Sequence, residues 1–142
     1  MYRSRKTKNK YNPEQAIKRH ALGVSHCPFC NKHIEVVKQA KYFLVVVNGF
    51  AYDYWELMNV EDHLMIIPVR HILSIAELTD KERIEWVSLV AYYESRGYNI
   101  YLREKDNITK SVPHQHTHLI KTKNKHAKFF VYLRRPYFTF KA

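Results

Sequence analysis

Glycine is scarce in this 142-residue chain: only Gly23, Gly49 and Gly97 are present, where average usage of about 7% would supply roughly ten. No two of them are close enough for a G-x-G-x-x-G turn or a P-loop, so a glycine-rich backbone cradle for phosphate is excluded. Any phosphate must be handled by side chains. Cysteine is scarcer still. Cys27 and Cys30 are the only two, which excludes a secreted disulfide framework and fits a reduced, cytoplasmic setting. Long apolar runs are also missing. Residues 42–47 and 64–68 fall far short of the ~20 residues of a membrane span, and the basic N-terminus leads into no apolar core of a signal peptide.

What is abundant is positive charge. The net charge is +11 from 24 Lys+Arg and 13 Asp+Glu. Residues 1–20 carry seven Lys/Arg and one Glu, residues 121–142 carry seven Lys/Arg and no acid, and the middle hundred carry ten basic and twelve acidic residues. The excess therefore belongs to the two ends, where Lys/Arg alternate with Tyr and Phe as on a phosphate-tracking surface. With 46% hydrophobic and 14% aromatic residues, the chain has the makings of one folded domain.

Residues 1–12 read as a basic arm, and Pro13 opens a short helix running towards Gly23. A turn-rich knuckle around Cys27-Pro28-Phe29-Cys30 follows. Residues 42–47 form a buried strand closed by Asn48-Gly49, and residues 63–67 a second strand stopped by Pro68. Thr79-Asp80-Lys81-Glu82 is a capping box, and Ile84, Val87 and Val90/Ala91 mark the inward face of the helix it opens, with Gly97 as its stop. Residues 98–102 and 114–120 make a third and a fourth strand, and residues 129–133 and 137–140 a terminal hairpin or edge strands. Strands, one strong helix and strands again, without regular βαβ alternation, give an α+β domain with an antiparallel sheet. Residues 50–62 exceed a tight hairpin, and their Tyr52, Tyr54 and Trp55 read as a cover for the core rather than a base-stacking platform.

The chemistry concentrates in Ser111-Val112-Pro113-His114-Gln115-His116-Thr117-His118. On a strand, alternate side chains share a face, so His114, His116 and His118 point one way. A core disfavours three rings that each need a polar partner; either a catalytic group or an all-metal site satisfies them. Cys27 and Cys30 suit zinc but need two further ligands, which only histidines can supply. His26 and His33 are near in sequence; His71 and His114 are the distant candidates.

Three pieces in this order resemble the histidine-triad superfamily of nucleotide hydrolases and transferases: the Cys27/Cys30 knuckle, the segment from His63 through Pro68-Val69-Arg70-His71, and the segment from Ser111 through His118. The resemblance covers residues 25–122, leaving a basic arm at 1–24 and a basic, aromatic extension at 123–142. It implies that His116 attacks the α-phosphorus of a nucleotide or nucleotide conjugate to form a covalent nucleotidyl-histidine. It further implies that His118 contacts the phosphate and assists the leaving group, and that Ser111 hydrogen-bonds a phosphate or leaving-group oxygen. The zinc-containing members imply a structural zinc on Cys27, Cys30, His71 and His114. Asn48 occupies the position that reads the nucleoside ribose, usually through a carboxylate. Arg103 and Lys110 stand where amides are common, and add positive charge that favours a larger anionic leaving group. Two chains commonly pair in the resembled family. The competing function is a zinc-stabilised nucleic-acid-binding module with an idle triad, its basic ends contacting RNA or DNA.

Overall fold

The structure, a computed structural model, describes residues 27–31, 34–107, 109–126, 131–134 and 137–140. The arm at 1–12, the expected helix at 13–23, and His26 and His33 lie outside the described residues.

After a single helical turn, α1 (Pro28–Asn31), come the strands β1 (Val36–Gln39), β2 (Phe43–Val47), β3 (Tyr54–Trp55) and β4 (Met58–Pro68). One long helix, α2 (Asp80–Glu94), then leads to β5 (Tyr98–Leu102) and β6 (Thr117–His126). The main sheet has the order β1-β2-β4-β6-β5, with β3 pairing on β4. All of its pairings are antiparallel. The chain is thus α+β, a sheet with one main helix, as its sequence pattern predicts. The expected terminal hairpin is present as β7 (Val131–Arg134) and β8 (Tyr137–Phe140), a separate antiparallel pair.

Period-two alternation divides the central strands between two faces. Phe43, Val45, Leu64, Ile66 and Leu119 pack with Leu89 and Tyr93 of α2, and with Trp86 and Val90 at the edge of this cluster. On the other face Val46, Met65 and Ile67 pack with Phe29, Ile34 and Leu44. The helix therefore covers one face, and the cysteine knuckle covers part of the other.

α2 begins as its sequence predicts: Thr79 and Glu82 form a reciprocal capping box. It ends at Gly97, whose φ of +82° is a left-handed value that glycine adopts without steric cost. Its inward face, however, differs from the expected one. Ile84 is 69% and Val87 56% exposed, while Glu82, Leu89 and Tyr93 are buried. The cause is Glu82. Its carboxylate accepts two hydrogen bonds from Arg70 and two from Thr79, which anchors this turn against the loop after β4 and rotates Ile84 and Val87 outward.

The 50–62 segment folds back as β3 on the start of β4, with Trp55 opposite Met58. The two turn residues, Glu56 at φ +48° and Leu57 at φ +61°, are both left-handed. A two-residue hairpin of the kind whose twist matches its strands requires this, but asparagine and glycine adopt it more readily.

Candidate functional site

The triad segment is not one continuous strand. β6 starts at Thr117, and His114 and His116 lie in the bend before it. The β4–β6 ladder runs from Met58↔His126 to Ile66↔Thr117. Further steps lead towards Pro68, which has no N–H to contribute. The bend is tied instead to the loop after β4. The Gln115 N–H donates to the Ile72 carbonyl (2.7 Å), and His114 Nε2 lies 3.0 Å from the Pro68 carbonyl oxygen. The expectation that three alternate histidines share one strand face is therefore corrected, and the bend lets them turn to two separate tasks.

His114 turns to the knuckle. Its Nδ1 is 3.5 Å from both Cys27 Sγ and Cys30 Sγ, and His71 Nδ1 is 3.3 Å from Cys30 Sγ. The ligand atoms of Cys27, Cys30, His71 and His114 all lie within 4.8 Å of one another. A tetrahedral zinc with bonds of about 2.3 Å to sulfur and about 2.05 Å to nitrogen separates its sulfur and nitrogen ligands by about 3.6 Å. The donor set fits that ion. With its Nε2–H given to the Pro68 carbonyl, His114 keeps the Nδ1 lone pair for the metal, the usual outer support of a metal-bound imidazole. Burial pushes the His114 imidazole down to about 4 and, with its bond to Cys27, the Cys30 thiol up to about 11. His114 is thus a neutral imidazole donor at pH 7, and metal binding there displaces the Cys30 proton.

His116 and His118 are not part of the Cys/His group. Both are buried, and their rings meet edge to face with centroids 4.9 Å apart. His116 Nδ1 is 2.8 Å from the His114 carbonyl oxygen. A carbonyl only accepts, so Nδ1 carries the proton and the Nε2 lone pair is available for attack. Burial pushes the His116 imidazole down to about 4, which keeps it neutral and nucleophilic at pH 7. Phe29 packs edge-on against the His114 and His116 rings at 5.8 and 5.3 Å.

A fourth imidazole, to which sequence reasoning gave no role, completes the group. His63 Nε2 lies 3.0 Å from His118 Nδ1. Its Nδ1 accepts from the Tyr52 N–H at 3.1 Å, and Asn48 Nδ2 lies 3.4 and 3.0 Å from its Nδ1 and Nε2. The signal was in the sequence: residues 63, 65 and 67 share a strand face, and a histidine heading an otherwise apolar set needs a partner there.

The remaining candidates lie around this centre. Asn48 is buried at the end of β2, its side-chain oxygen accepting from the Phe50 N–H. Ser111 is half-buried in the bend. Lys110, far from being a surface cation, is 2% exposed. Its amine donates to the Leu73 carbonyl (3.0 Å) and to Gln115 Oε1 (2.9 Å), and burial lowers its pKa. Arg103 is half-buried and donates to the Tyr52 and Tyr101 hydroxyls and the Thr109 carbonyl.

A sheet covered on one face by a single helix, with a bend of paired histidines beside a Cys/His knuckle, is the architecture of the histidine-triad superfamily. The same fold is seen in a HIT family hydrolase from Clostridium thermocellum, 15% identical, with a TM-score of 0.56 over 75% of this chain and 99% of that one. A Zn-bound histidine triad family protein from Mycobacterium smegmatis is 16% identical, with a TM-score of 0.51 over 69% and 76% of the two chains. A histidine triad nucleotide-binding protein from Sulfolobus tokodaii is 16% identical, with a TM-score of 0.53 over 76% and 77%. Within that superfamily the assignment is narrower: residues 14–134 match the family described as "Protein similar to CwfJ C-terminal", and the chain belongs to it. No curated protein matches the chain. Among the described residues, no helix is long and apolar enough to cross a membrane.

Proposed function

We propose that this protein is a nucleotide hydrolase or nucleotidyl transferase acting at the α-phosphate of a nucleotide conjugate. The observation that carries the reading is the His116 ring, whose Nδ1 is committed to the His114 carbonyl while the ring is held neutral beside His118.

In the first step His116 Nε2 forms a bond to the α-phosphorus as the bond from phosphorus to the leaving group breaks. His118, entering as the imidazolium, gives its Nε2 proton to the departing atom and becomes neutral. In the second step the oxygen of water, or of another acceptor, attacks phosphorus as the bond from phosphorus to Nε2 breaks, and neutral His118 takes the proton released, which returns both rings to their starting forms. Splitting one difficult displacement into two easier ones is the benefit of the covalent intermediate. Ser111 supplies a hydroxyl donor and Arg103 donors and positive charge for the phosphoryl oxygens in a chain without a glycine loop, the buried Lys110 contributing through its charge alone. Asn48 borders the nucleoside side. Zinc, held by Cys27, Cys30, His71 and His114, has a structural task, joining the knuckle to the bend that carries His116.

Brief incubation with a panel of phosphoramidates, dinucleoside polyphosphates and adenylated conjugates, followed by peptide mass spectrometry, tests this. A nucleotidyl adduct on the peptide containing His116, absent in His116→Ala, is expected. Turnover by His116→Ala at the wild-type rate overturns it.

The basic ends give a second reading, RNA or DNA binding with an idle triad, specific support for which is the concentration of charge in residues 1–20 and 121–142. A steep fall of log affinity with log salt that persists unchanged in His116→Ala, with no adduct on any substrate, favours it.

A further inference from the structure

Beyond His118 the row of rings continues. Tyr101 of β5 lies 5.8 Å from His118 with the two planes only 24° apart. Trp55, at the tip of the β3 hairpin, is 4.9 Å from Tyr101. Tyr52 stacks on Trp55 at 6.0 Å and 17°, and packs in turn against His63 at 4.7 Å. Arg103 fixes the assembly, its Nη2 and Nε donating to the Tyr52 and Tyr101 hydroxyls at 3.2 and 3.3 Å, with the guanidinium 5.5 Å from the Tyr101 ring centre.

The sequence reads this aromatic stretch as a cover for the core. That fits Tyr52, which is 3% exposed. It does not account for Trp55 and Tyr101, which are half-buried and belong to neither hydrophobic cluster of the sheet. Flat rings that keep solvent access beside a guanidinium are the combination on which nucleobases stack while their phosphates are neutralised. Its place decides which part of the substrate it meets. In the proposed reaction His118 serves the leaving group, and Tyr101 stands directly opposite His118 on the neighbouring strand.

We propose that Trp55, Tyr101 and Arg103 form a subsite for the leaving group, and that this leaving group carries a nucleobase and phosphate, so that the substrate joins the transferred nucleotide to a second nucleotide. The inference rests on the functional reading above. A simple amine or pyrophosphate presents no ring to the platform; a dinucleoside polyphosphate or an oligonucleotide bearing a 5′-nucleotidyl group does.

The test compares two substrates with the same transferred nucleotide, one releasing methylamine and the other a second nucleotide. In the full chain, Trp55→Leu is expected to lower the ratio of kcat/KM for the nucleotide-releasing substrate over the amine-releasing one by at least about fivefold, the lower bound for one lost base stack. Trp55→Phe, which keeps a ring, restores the ratio. An unchanged ratio in Trp55→Leu overturns the subsite while leaving nucleotidyl transfer through His116 standing. A binding measurement separates the two readings if no substrate is turned over. A 5′-phosphorylated trinucleotide is titrated into His116→Asn protein by fluorescence anisotropy of a labelled strand. Adding Trp55→Leu should raise Kd by at least about fivefold, and Trp55→Phe should not. Equal Kd values, or no binding to the His116→Asn chain, overturn the subsite.

Discussion

His63 Nε2 and His118 Nδ1 stand 3.0 Å apart across neighbouring strands, and this contact orients the His118 ring. The Tyr52 N–H can only donate, so His63 Nδ1 accepts it, and His63 Nε2 faces both His118 Nδ1 and the Asn48 amide nitrogen at 3.0 Å. The contact with His118 Nδ1 holds that ring in place, with Nε2 as the nitrogen that delivers the proton of the imidazolium in the proposed reaction. His63→Phe should therefore lower turnover by about 10²-fold. The loss should grow as the leaving group becomes more basic, a steeper dependence on leaving-group pKa being the sign that proton delivery was damaged. A uniform loss across leaving groups would reduce His63 to a packing residue.

The knuckle should hold one zinc per chain, measured by elemental analysis of purified protein. Cys27→Ser or His114→Ala should abolish the metal and lower the melting temperature, while His116→Asn should retain both. Because the His114 carbonyl orients His116, metal loss should also slow adduct formation. Removal of the metal with no change in thermal stability would contradict the structural role.

Glu82 is buried, and its bonds to Arg70 and Thr79 depress its carboxyl to about 2. A depressed carboxyl contributes stability that is present above its unfolded pKa of ~4.3 and is lost as pH falls towards 2. The Arg70 side chain is 49% exposed, and solvent screening keeps the contribution to about 1–2 kcal/mol. Glu82→Gln should cost that amount at pH 7 in urea unfolding, and the gap to wild type should close as pH falls below about 4. A gap that does not change with pH would place the cost in packing instead.

Strands β2, β4, β5 and β6, the capping box and the Gly97 stop were legible in the sequence because each is written in a few neighbouring residues with one dominant cause, whereas β1 and β3 were not. The four metal-ligand candidates were legible through resemblance, and the structure brings them together. What sequence could not give was the strand boundary at Thr117, set by a proline on the partner strand, and the helix face, set by a buried carboxylate whose partner Arg70 lies twelve residues away. Periodicity counts apolar residues and so passes over a Glu that faces inward. The same bias hid His63, which lies on an apolar strand and declares its role only once His118 is opposite. The burial of Lys110 was not legible either, because the Leu73 carbonyl and Gln115 that receive its amine are brought to it only by the fold.

The turn that presents Trp55 is where the scarcity of glycine has its clearest physical cost. Glu56 and Leu57 are both left-handed, at about 1–2 kcal/mol per residue relative to a chain free to choose. Changing the pair to Asn-Gly should raise the stability to urea by about 1–2 kcal/mol, with a higher unfolding midpoint and the same slope. The hairpin thus holds an untapped reserve: thermal tolerance can be raised at a site whose backbone is already in the required shape, leaving every ring of the platform in place.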